Sequence, residues 1–170
     1  MGNWQRSLCT GCIALSLTSL QTASASPQNG IGAYAGVISA TEAGSASTGL
    51  SAGVDAQFVI NDRWSLSPYL LISAERNSAS TSVADGLAGV HVKRWFGDWF
   101  AGAQIFEHDR VIYGNGNAQS SAYGLGMGLL AGFEYASGWG AQVQADLLES
   151  SNISSSQRNA VRLHLVYRWH

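Results

Sequence analysis

The sequence is poor in charge, in proline and in long apolar runs. Asp, Glu, Lys and Arg supply 12% of its 170 residues, about half the share of an ordinary soluble domain. With 9 basic residues against 11 acidic ones, it has no electrostatic footprint for nucleic acid. Its 2 prolines and 46% hydrophobic residues are the opposite of a disordered composition. No apolar run beyond position 26 approaches the roughly 20 residues of a spanning helix, so any membrane crossing there must use strands.

Cysteine is as scarce as proline. Both cysteines, Cys9 and Cys12, fall within the first 25 residues, a segment that reads as a secretory signal. Arg6 is its only charge, a modest apolar stretch runs from Leu8 to Leu20, and Thr22-Ala23-Ser24-Ala25 supplies a small-x-small cleavage pattern. Cleavage near Ala25 is expected, leaving 26–170 as one domain without disulfides, thiolate chemistry or Cys-based metal sites. The histidines, His91, His108, His164 and His170, show no metal-ligand spacing. No metal and no cofactor is expected.

What the chain does have is alternation. Leu50, Ala52, Val54, Ala56, Phe58 and Ile60 share one parity, and Ser51, Gly53, Asp55 and Gln57 the other, the period of a strand with two unlike faces. The same holds for 123–135, 139–147 and 161–169, where Leu163, Leu165, Tyr167 and Trp169 stand against Arg162, His164 and Arg168. Weaker strands are read at 30–39, 64–74, 83–94 and 99–108, with irregular pairing expected at Pro68. Long connections (40–47, 75–82, 109–120, 149–158) alternate with short ones around Asn61-Asp62, Gly97-Asp98 and Ser137-Gly138. An up-and-down antiparallel meander of eight strands follows, with both termini and the short turns at one end.

The polar parity decides the solvent. A soluble sandwich would present Lys, Glu and Thr on its outer face, whereas this parity holds Gly, Ser, Gln and a few charges. Small residues suit the lumen of a narrow eight-stranded barrel, and the apolar parity then faces lipid, where only a closed barrel satisfies every backbone group. Trp64, Trp95, Trp99, Trp139 and Trp169 all lie near short turns or the C-terminus, which predicts an aromatic girdle at one membrane interface. A soluble barrel with an apolar ligand would need the parities reversed.

With its export signal, alternating strands and terminal Val161-Arg162-Leu163-His164-Leu165-Val166-Tyr167-Arg168-Trp169, the chain resembles the small outer-membrane barrels of OmpA and OmpX type. The resemblance implies an all-β eight-stranded transmembrane barrel in the outer membrane of a Gram-negative bacterium. It also implies lipid and lipopolysaccharide as surroundings and a C-terminal strand (Leu163, Leu165, Tyr167, Trp169) read by the barrel assembly machinery. In this chain His170 follows the terminal aromatic residue; no surface partner is named by the sequence.

The lumen is expected to hold Asp55, Lys93, Glu134, Asp146, Arg162 and Arg168, three acids against three bases, which should pair because a lone buried charge is prohibitive. Asp146 is expected to meet Arg162, and Glu134 to meet Arg168, giving a salt-bridge plug and a structural or surface-contact role; a small pore is a lesser alternative. The enzymatic alternative is a lipid A hydrolase. Glu149-Ser150-Ser151-Asn152 is faintly similar to the His-x-Ser-Asn segment of the lipid A 3-O-deacylases, with Glu149 in place of their histidine and His108 as the available base for Ser151. The apolar cluster Val111-Ile112-Tyr113, read within the third outer loop, is a candidate contact surface.

Overall fold

The computed structural model describes residues 27–42, 44–77, 81–114, 117–149 and 157–170. Eight antiparallel strands follow one another in the order β1 (Gly30–Glu42), β2 (Ser45–Asn61), β3 (Trp64–Asn77), β4 (Ser82–Phe96), β5 (Trp99–Gly114), β6 (Asn117–Glu134), β7 (Trp139–Glu149) and β8 (Gln157–Trp169). Each pairs with its neighbours in sequence, and β8 returns to β1 (Ile31↔Trp169 to Glu42↔Arg158), so the sheet closes into a barrel without edges.

The closure is staggered. Paired residues followed once round the barrel from Gly32 through Asp55, Tyr69, Gly89, Phe106, Gly126, Leu148 and Arg158 arrive at Glu42, ten residues further along β1. For eight strands this stagger corresponds to a tilt of roughly 40–45° and a lumen wide enough only for side chains.

The turns at the end shared by both termini are tight for local reasons. Asn61 Oδ1 accepts the backbone N–H of Arg63 at 3.0 Å, closing the β2–β3 turn. Gly97 and Gly138 adopt φ of 70° and 84° in the other two turns, a region that costs glycine little. Trp95 N donates to Arg63 O at 2.8 Å, tying neighbouring turns together.

At the opposite end the strands run further than alternation suggests. The long loops read at 40–47, 75–82 and 109–120 are shortened by the ends of β1 to β6, most of the one read at 149–158 lies outside the described residues, and the cluster Val111, Ile112 and Tyr113 belongs to β5. Ser- and Thr-rich segments above a hydrocarbon layer pair as strands without needing an apolar face, so hydropathy carries no sign of them there. Pro68 leaves the register intact: β2–β3 pairing resumes from Asp55↔Tyr69 to Phe58↔Leu66 in the same register, Pro68 pairs with Val90 on β4, and the register shift lies beside the turn, between Val59 and Asn61.

Candidate functional site

The outward face is a continuous apolar surface. Leu50, Leu70, Ile72, Ile105, Leu125, Leu129 and Leu165 are each exposed by 60% or more, and they come from strands all around the barrel. Water does not select such a surface; hydrocarbon does. Trp64, Trp99, Trp139 and Trp169 face outward beside the tight turns and the C-terminus. The outward residues of β8, Leu163, Leu165 and Trp169, join this surface, with Tyr167 half-buried between the rings of Trp139 and Trp169.

Trp95 does not belong to that ring. It is 4% exposed and points into the lumen, where its indole donates to Ser65 Oγ at 2.9 Å and its ring lies 5.0 Å from that of Phe100. Nearness to a turn does not fix the face on which a strand side chain lies. Inward Lys93 and outward Arg94 set the parity of β4, which sends Trp95 inside.

The lumen is fuller and more apolar than Gly, Ser, Gln and charge alone. Ile38, Leu71, Leu87, Phe106 and Leu148 form a buried cluster inside it. Glycines make the room: on β6, Gly124, Gly126, Gly128 and Gly132 stand directly opposite the inward His108, Phe106, Gln104 and Phe100 of β5. A Cβ at Gly126 would overlap the Phe106 ring, and one at Gly53 would overlap Tyr34.

Charges occupy both ends of this packing. Near the tight turns, Arg168 Nη1 and Nη2 donate to Asp55 at 2.8 and 3.2 Å and its Nε donates to Glu134 at 2.8 Å. Lys93 Nζ lies 3.4 Å from Asp55 and donates also to Gln57. Further along the lumen Arg162 pairs with Asp146, which also accepts from Gln104. At the far end Arg158 bridges Glu75 and Asp85, and Arg110 pairs with Glu42. Alternation does not reveal Glu75, Asp85, Arg110 and Arg158, because their segments read as loops or as strands of uncertain parity. Five buried acids and five buried bases balance among the described residues.

Of the enzymatic candidates, the described side chains of His108 and Glu149 lie on opposite faces of the barrel wall. His108 is buried in the lumen, with its Nε2 3.2 Å from the backbone carbonyl oxygen of Glu149. The Glu149 side chain lies on the outer face, at the margin of an open groove of about 800 Å³ lined by Ile105, Leu125, Met127 and Leu147. Ser151 lies outside the described residues, as do the export signal and its cleavage site. A second serine–histidine contact, Ser51 Oγ to His164 Nε2 at 2.8 Å, is fully interior, and His164 Nδ1 has no acid to orient it. A triad needs that third group and an approach for substrate. Among the described residues no cluster of three or more His, Cys, Asp or Glu is arranged to hold a metal ion.

No family model and no curated protein sequence matches the chain. Solved structures do. The attachment invasion locus protein Ail of Yersinia pestis aligns with a TM-score of 0.58 at 10% identity, over 83% of this chain and 97% of Ail. Neisserial surface protein A (NspA) aligns with a TM-score of 0.57 at 15% identity, over 83% of this chain and 97% of NspA. At such identities the likeness is one of fold, and in fold this chain is a closed eight-stranded antiparallel β-barrel like those small outer-membrane proteins.

Proposed function

We propose that the protein is an integral outer-membrane barrel with a closed lumen and a structural or surface-contact role. One observation carries this reading: the outer face is apolar all round while ten charged side chains are buried and balanced inside. A conducting pore needs an open polar path, and the burial of Ile38, Leu71, Leu87, Phe106 and Leu148 among the ion pairs supports a filled lumen. The surface-contact half of the proposal is supported by the β5–β6 hairpin. On its β6 side, Asn117 to Leu125 lies beyond the last described β6–β7 pair at Gly126↔Leu148 and carries the exposed Tyr123, while the β5 side carries the exposed Tyr113.

Ail has been crystallised with the heparin analogue sucrose octasulfate. A similar polyanion site is unsupported in this chain. Its hairpin-side half exposes Arg76 against Glu107, Asp109 and Glu149, and the arginines Arg110 and Arg158 are buried in ion pairs.

Planar-bilayer recording of the purified protein tests the closed lumen, with no steady conductance expected; a large persistent conductance would refute it. Heat-modifiable gel migration and resistance to carbonate extraction are expected of the inserted barrel. Recovery of a monodisperse folded chain without detergent would overturn the membrane assignment.

A further inference from the structure

The tight-turn end carries two arginines that the ion-pair network leaves out. Every lumenal cation pairs with a carboxylate, but Arg63 and Arg94 have no carboxylate partner among the described residues. Arg94 is an outward residue of β4, directly opposite Trp64. Its guanidinium lies 5.7 Å from the Trp64 ring centroid and 5.2 Å from that of Phe96. A permanent positive charge therefore stands in the aromatic belt itself, where its alkyl stem can lie on the apolar face while the head reaches the interface.

Arg63 completes the arrangement. The β2–β3 turn that holds it is tied to β4 by the bond from Trp95 N to Arg63 O. Between the two elements lies an open cleft of about 450 Å³ lined by Asp62, Arg63, Arg94, Trp95, Phe96 and Gly97. Asp62 offsets one of the two charges, so the cleft keeps one net positive charge. Asp98, next to Gly97 on the β4–β5 turn, has an interaction of its own.

We propose that this cleft binds the phosphodiester headgroup of an anionic phospholipid in the leaflet at the tight-turn end, with the acyl chains lying against the apolar strands above Phe96. The proposal rests on the membrane reading. Two guanidinium groups offer the forked donors that suit a phosphate, and the aromatic rings fix one of them at headgroup depth. Excess positive charge favours an anionic lipid over a zwitterionic one.

The test is native mass spectrometry of the folded full barrel with equimolar phosphatidylglycerol and phosphatidylcholine of identical chains, followed by titration of each. Retention of phosphatidylglycerol is expected to exceed that of phosphatidylcholine several-fold. An interfacial arginine contributes about fivefold to anionic lipid binding, so Arg63→Gln with Arg94→Gln should weaken phosphatidylglycerol roughly 10- to 30-fold and erase the preference. Arg76→Gln, at the other end, should leave both unchanged. Equal retention of the two lipids by the unaltered protein, or equal losses in R76Q and the double variant, would overturn the site. Inorganic phosphate displacing neither lipid at millimolar concentration is expected; displacement by phosphate alone would make it an ion site rather than a lipid site. A barrel that fails to insert into vesicles sinks the membrane reading as well, whereas one that inserts without lipid preference sinks only this proposal.

Discussion

Arg168 and Asp55, 113 residues apart, meet inside the barrel through two hydrogen bonds of 2.8 and 3.2 Å. Asp55 also faces Lys93, so one carboxylate holds two cations. Asp55→Asn leaves Lys93 with no carboxylate and Arg168 with one, Glu134, and breaking such a buried pair from one side costs about 3–5 kcal/mol. Urea titration of the folded fraction in vesicles, read by gel mobility, should show that loss. The exposed Arg76→Gln should stay within about 0.5 kcal/mol of the unaltered protein. Equal midpoints for the two variants would mean that the inner ion cluster contributes nothing to stability.

The five tryptophans of the barrel should divide into two populations. Trp64, Trp99, Trp139 and Trp169 face outward, and Trp95 is enclosed against Ser65 and Phe100. A variant keeping only Trp95 is expected to retain its fluorescence in bilayers of brominated-chain lipid. A variant keeping only Trp139 should lose most of it. Strong quenching of Trp95 would place its ring outside and reverse the parity of β4.

The contrast between these tryptophans shows what the sequence can and cannot tell. Strands β2, β6, β7 and β8 were legible because their outward and inward residues differ in kind, as Leu163 and Leu165 differ from Arg162 and His164. Strands β1, β3, β4 and β5 were less so, because the lumen also takes Ile38, Leu71, Leu87 and Phe106, which blurs the alternation. Parity decides a side chain's face, and nearness to a turn does not, which is why Trp95 was misplaced. The outer ion pairs of Arg110 and Arg158 were hidden for a different reason. Their segments lie where polar residues suffice on both faces, so neither period nor hydropathy marked them as strand.

Glycine placement on β6 carries information that alternation alone does not use. Gly126 is paired with Phe106, whose ring fills the space where a β-carbon would stand. Gly126→Ala would ordinarily gain about 0.4–1 kcal/mol from reduced unfolded-state entropy. Here the overlap should outweigh that gain and give a net loss of about 1–2 kcal/mol, since overpacking a filled core costs about 1–3 kcal/mol. Adding Phe106→Leu removes the clashing ring atoms, so the double variant should be more stable than the sum of the two singles in a denaturant cycle. Strict additivity would show that the ring and the glycine do not compete for the same space.

Chemistry on lipid A requires a base, an acid and a nucleophile on the outer face near the acyl chains. His108 points into the lumen and Glu149 points out of it, so the barrel wall separates the two groups that would have to act together. Rotating His108 outward would require breaking its contact with the Glu149 carbonyl and moving an inward residue through the sheet. Expression of the protein is therefore expected to leave the mass spectrum of lipid A unchanged, and Ser151→Ala to be indistinguishable from the unaltered chain. Loss of an acyl chain on expression, restored by Ser151→Ala, would show that the segment after β7 builds a site without His108 and would make the protein a hydrolase.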